Sequence, residues 1–128
     1  MAYFEQKYCI GTNDGKHQMF WDISALINDL INTQFPIINY NVLDLVKSNH
    51  FFGDSEYAMK TNMEIPCIIV KLSEDIEKLI DGNHRLYKAK QLHHEKIPCY
   101  VLPMEYHKKF IIDYDDTVYE KVISDFAK

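Results

Sequence analysis

Ile65-Pro66-Cys67-Ile68-Ile69-Val70-Lys71-Leu72 opens a segment that runs through Leu79-Ile80-Asp81-Gly82-Asn83-His84-Arg85-Leu86 and closes with Ile97-Pro98-Cys99-Tyr100-Val101-Leu102. The first run is nearly all apolar, which suits a central strand buried on both faces. Residues 76–80 predict a second strand, although Glu77-Lys78 leaves a helix open as an alternative. Asp81-Gly82 breaks the run. From His84 to Leu92 the spacing of Leu86, Ala89 and Leu92 predicts a helix. Ile97 to Leu102 predicts a return strand. A strand, a tight turn, a helix and another strand thus follow within one short stretch, which is the grammar of a mixed α/β fold.

Upstream, Tyr3 to Ile10 and His17 to Ile23 read as strands joined by the turn residues Thr12-Asn13-Asp14-Gly15. Ser24 is placed to cap a helix over Ala25 to Asn32, where Leu26, Ile27, Leu30 and Ile31 carry helical spacing. Phe35-Pro36 interrupts it. Val42, Leu43, Leu45 and Val46 predict a second short helix behind Asn41, His50 to Gly53 a loop, and Ser55 to Asn62 a third helix. Downstream, Pro103 starts a short helix through Phe110. Residues 113–128 predict a final amphipathic helix, with Asp115 and Asp116 at its positive end and Val118, Tyr119, Val122, Ile123 and Phe126 along one face. The expected fold is α+β, a small mixed sheet with flanking short helices, in a single domain over 1–128.

The composition sets the class. The chain has 128 residues, 47% of them hydrophobic and 26% charged, so it has the apolar content to fold. No apolar run approaches the ~20 residues that span a bilayer, and no signal peptide opens the chain. No membrane partner is expected, and the expected compartment is the cytoplasm. Lys+Arg 14 against Asp+Glu 19 gives −5, which disfavours DNA as a partner because a duplex needs a basic face. Arg85 is the sole arginine among those basic residues.

Cys9, Cys67 and Cys99 form no CxxC pair, so zinc-ribbon and thioredoxin-type motifs are absent. Cys67 and Cys99 share the string Ile-Pro-Cys at the start of β-rich runs. They read as buried core residues, or else as a redox pair on neighbouring strands, which a reducing cytoplasm disfavours. The six histidines show no compact ligand spacing, and no metal site is expected. His93-His94 suits a helix C-terminus.

Chemistry concentrates at Asp81-Gly82-Asn83-His84-Arg85. Gly82 permits a tight turn and a close approach of a ligand to the backbone. The first amides of a helix have no partners within it, and with the helix dipole they form an anion site. Asn83 is placed to cap the helix. His84 and Arg85 add donors, and Arg is suited to bidentate phosphate contact. A cation at a helix N-terminus costs ~0.3–1 kcal/mol, a cost that a bound anion reverses. The same residues also suit a plain turn in which Arg85 pairs with Asp81.

From Ile65 to Leu102 the chain resembles the ParB/sulfiredoxin superfamily. The resemblance rests on Ile-Pro-Cys-Ile-Ile-Val, Leu-Ile-Asp-Gly-Asn-His-Arg-Leu, Lys-Ala-Lys-Gln-Leu and Lys-Ile-Pro-Cys-Tyr-Val-Leu. The family has a Pro-led strand, a second strand ending in a Gly-x-His-Arg turn, a helix and a Pro-led return strand. The resemblance implies a stand-alone domain of this type that holds the phosphates of ATP or another NTP, with Mg²⁺ as a companion ion. Gly82, Asn83, His84 and Arg85 would form the cradle and Lys88 would reach an outer phosphate. His84, Arg85 and Asp81 would be the catalytic candidates for phosphate transfer or hydrolysis. Lys88 also reads as a solvated surface lysine.

Sulfiredoxins are similar but place their catalytic cysteine immediately before His-Arg. Asn83 stands there, so sulfinic-acid reduction is not expected. Partition ParB proteins continue into a helix-turn-helix region, whereas the segment after Leu102 is short and acidic. Free serine kinases of the superfamily use an upstream carboxylate as base, for which Asp22, Asp54, Glu56 and Glu64 are the candidates. The alternatives are a DNA-associated nuclease or regulatory module, and a non-catalytic binding domain.

Overall fold

The computed structural model describes residues 7–48 and 62–126. The described residues form two compact units, one drawn from residues 7–35, Leu72–Ile76 and residues 103–126, the other from residues 36–48, 62–71 and Glu77–Leu102. The fold class is α+β. Among the described residues no helix is long and apolar enough to cross a membrane.

In the first unit, strands β1 (Lys7–Gly11) and β2 (Gln18–Asp22) pair antiparallel. Gly15 takes a positive φ of 73° in the connecting turn, which the Thr12 hydroxyl and Asp14 carboxylate brace. Met19 and Trp21 alternate with exposed neighbours and point into the core. Helix α1 (Ile23–Asn32) follows at once. Its cap is Asp22, whose carboxylate accepts from the Ala25 amide at 3.0 Å. Ser24, expected as the cap, lies inside the first turn and is buried. The shift has a simple cause: a carboxylate caps as well as a hydroxyl and favours the positive end of the dipole.

After Leu102 the same unit resumes with a short helix α4 (Met104–His107), a 3₁₀ turn (Lys108–Phe110) and a final helix α5 (Asp116–Phe126). Asp115 accepts from the Val118 amide at 3.0 Å, so an acid stands at the start of α5 as expected. Of the predicted apolar face, Tyr119 and Val122 are buried while Phe126 is exposed. Trp21 is fully buried and donates from Nε1 to Nδ1 of buried His107 at 3.1 Å.

The second unit is a four-stranded mixed sheet in the order β3-β6-β4-β5, with β3 (Ile38–Asn41), β4 (Cys67–Lys71), β5 (Glu77–Asp81) and β6 (Lys96–Leu102). β4 is parallel to β6; the other two pairs are antiparallel. As predicted, β4 is buried at every position from Cys67 to Val70. The edge strand β3 was not predicted. It is only four residues long, and the nearby Pro36 and the polar Asn39 and Asn41 weaken its strand pattern.

Asn41 ends β3 and accepts from the Asp44 amide at 3.0 Å, starting helix α2 (Val42–Ser48). The expected loop over 50–53 and helix over 55–62 lie almost wholly outside the described residues. Helix α3 (Asn83–Gln91) follows β5. Val42 and Leu45 of α2 and Leu86 and Ala89 of α3 join Cys67, Ile69, Leu79, Ile97 and Cys99 in one core cluster. The helix ends a residue before the predicted Leu92, which is exposed.

Candidate functional site

β5 and α3 meet at Gly82. The antiparallel ladder of β4 and β5 pairs Lys71 with Glu77 and Ile68 with Asp81. The register slips between Ile68 and Ile69, so Ile80 is an extra residue in β5, just ahead of Asp81. Such bulges bend a strand and re-aim the residues beside it. Beyond Asp81 the chain reaches Gly82 at φ 107° and ψ 19°, where it turns into α3.

Gly82 is needed here for two reasons. A positive φ of this size strains any side chain. A Cβ would also stand 2.4 Å from the Cys67 sulfur and 2.7 Å from its Cβ. The sequence suggested that glycine lets a ligand approach the backbone. Cys67 packs against this backbone, and its thiol donates to the Gly82 carbonyl at 3.7 Å.

Gly82 is also the N-cap of α3, and no side chain caps the helix. Asn83, expected to cap, is instead the first helical residue, because the left-handed turn is completed one position earlier. No acid stands in the first turn. Nothing on the helix itself therefore offsets the positive end of its dipole.

Arg85 projects from this turn back over the strand ends. Its Nη2 donates to Asp81 Oδ2 at 3.1 Å and to the Pro66 carbonyl at 3.3 Å. Both partners of the Asp81–Arg85 ion pair are largely buried, at 14% and 15% side-chain exposure. Nε of Arg85 is buried with no hydrogen-bond partner. Leaving a buried polar donor unsatisfied costs about 1–3 kcal/mol, and more for a charged group.

The structure brings Asp81, Gly82 and Arg85 together with Pro66 and Cys67. His84 sits half-buried in the first turn of α3, whereas Lys88 belongs to the last turn. Among the upstream carboxylates, Asp22 belongs to the first unit as the cap of α1, and Glu64 lies exposed ahead of β4. Asp54 and Glu56 lie outside the described residues. Among the described residues no three His, Cys, Asp or Glu side chains cluster as a metal site.

The sequence did not point to Pro66 and Cys67 as neighbours of Arg85. Hairpin register was the available signal: once β4 and β5 pair, the residue after Asp81 must fall opposite Cys67. Cys67 is in turn the direct ladder partner of Cys99 on β6. A hydrogen bond from the Cys99 thiol, helped by the nearby Arg85 cation, holds the Cys67 thiol below its ordinary range despite burial. The same bond, with burial, drives Cys99 upward.

No protein-family model, curated protein or solved structure matches the chain.

Proposed function

We propose that the chain is a nucleotide-binding domain of the ParB/sulfiredoxin type that holds the phosphates of ATP or another NTP at Gly82–Arg85. The observation that carries this reading is Arg85. The sole arginine stands in the first turn of a helix whose N-terminus has neither a side-chain cap nor an acid. Asp81 and the Pro66 carbonyl anchor its Nη2. A phosphate brings the negative charge that a guanidinium and free helix amides at one helix start together favour. The order of β4, β5, α3 and β6, with β6 returning parallel to β4, also supports the resemblance.

Asp81 would act by orienting the guanidinium. His84 would donate to a phosphate or move a proton during transfer or hydrolysis. Mg²⁺ bound with the nucleotide would neutralise phosphate charge. We place this activity in the cytoplasm, where free Cys9, Cys67 and Cys99 suit the reducing conditions. The net charge of −5 stands against duplex DNA as the partner.

Calorimetric titration with ATP, CTP and GTP, each with Mg²⁺, tests the reading. Saturable binding to at least one is expected. Arg85→Lys should weaken it by roughly tenfold or more, because lysine keeps the charge but loses the fork. A folded protein that binds none of the three is not a nucleotide-binding domain of this type.

A further inference from the structure

Cys67 and Cys99 are direct partners in the parallel ladder of β4 and β6, so their side chains leave the same face of the sheet. Both are buried, and both are free thiols. Adjacent strands lie ~4.7–4.9 Å apart. That spacing falls within the Cα separations of ~4.4–6.8 Å that a disulfide spans. Each thiol also perturbs the other's ionisation, Cys67 downward and Cys99 upward. Little backbone movement therefore separates the dithiol from a disulfide.

The pair is not isolated from the rest of the unit. The Cys67 sulfur occupies the space against Gly82 and donates to the Gly82 carbonyl. A bond to Cys99 would draw that sulfur toward β6 and so alter its contact with Gly82.

We propose that Cys67 and Cys99 are a redox modification site, a dithiol that peroxide converts to a disulfide, releasing Cys67 from the Gly82 turn. The inference stands on strand register and packing and does not depend on nucleotide binding.

The chemistry balances with hydrogen peroxide as oxidant. The Cys67 thiolate attacks one peroxide oxygen. The O–O bond breaks, Cys67 becomes a sulfenic acid, and the departing hydroxide takes up the proton that Cys67 lost, leaving as water. The Cys99 sulfur then attacks the Cys67 sulfur. The S–S bond forms, the S–O bond breaks, and the hydroxyl leaves with the Cys99 proton as a second water. Two thiols are oxidised and one peroxide is reduced. Cys67 is assigned the first attack because the Cys99 thiol and the Arg85 cation favour its deprotonation, whereas Cys99 is driven the other way.

The test uses the full chain carrying Cys9→Ser, which removes the exposed thiol. The folded protein is exposed to hydrogen peroxide, denatured in alkylating reagent and weighed intact. Loss of both alkylatable thiols and of two hydrogens is expected, with the link mapping to Cys67 and Cys99 and reversed by reductant. Full alkylation of both cysteines after the same exposure, or oxidation of Cys67 past sulfenic acid without a link, overturns the proposal. Adding Cys99→Ser should let a sulfenic-acid probe label Cys67, and label-free Cys67 in that variant rules out its attack on peroxide. Amide hydrogen exchange at Gly82–Leu86 should quicken in the linked form. Unchanged exchange with the link present overturns the release of the turn.

Discussion

At Gly82, backbone and packing impose the same demand. The left-handed φ excludes a side chain, and the Cys67 sulfur fills the place a Cβ would take. Gly82→Ala should therefore cost about 2–4 kcal/mol, combining the left-handed penalty with overpacking. Chemical denaturation of the two proteins measures this. Shortening Cys67 to alanine should restore only part of the loss, because its Cβ and Cα still lie 2.7 and 3.1 Å from the new atom. That glycine is required at this turn was legible in the sequence. Its partner was not, since the chemistry of Asp-Gly-Asn-His-Arg points to a ligand and only strand register reveals Cys67. The pairing of Arg85 with Asp81 was legible, because four residues of strand end and helix start leave the two within reach.

Among the elements, α1 and α3 end alike. Each closes with paired backbone bonds around a residue in the left-handed region: Gln34 at φ 52° and His93 at φ 57°. Phe35 bonds Leu30 and Gln34 bonds Ile31 at one end; His94 bonds Ala89 and His93 bonds Lys90 at the other. Glycine is the usual occupant of this position. Replacing His93 by Gly should stabilise the fold by about 1 kcal/mol, the cost a Cβ carries there. Thermal denaturation should show the rise, and a fall would mean that the His93 side chain contributes more than its backbone costs. The elements themselves were largely legible, because β4, β6 and the helices carry strong apolar periodicity. Their exact starts were less so. Asp22 and Ser24 both suit a cap, and which of them serves is decided by where β2 stops. The strand β3 is defined by its pairing with β6 more than by its own residues.

On the scale of the whole molecule, one unit combines residues 7–35 and 103–126 with the hairpin tip Leu72–Ile76, and the other is drawn from the segments between them. Within the first unit, buried Tyr119 donates to the Leu72 carbonyl at 2.8 Å. Burial, reinforced by Tyr114, raises its phenol above the ordinary range. The folded state thus keeps a proton that the unfolded chain has released. The contribution is complete below the usual tyrosine pKa of ~10 and declines as pH climbs above it. Denaturation midpoints followed into that alkaline range should fall, and Tyr119→Phe should fall less steeply. At lower pH that variant should lose about 1 kcal/mol for the missing bond.

Trp21 is the sole tryptophan of the chain, fully enclosed, with the His107 ring centroid 5.8 Å from its own. Its emission colour therefore monitors the first unit alone. Cys67 and Cys99, hidden in the second, supply a separate chemical clock through their alkylation rates. With the exposed Cys9 replaced by serine, one native readout remains in each unit, and comparing the two along a single denaturation experiment times the loss of each.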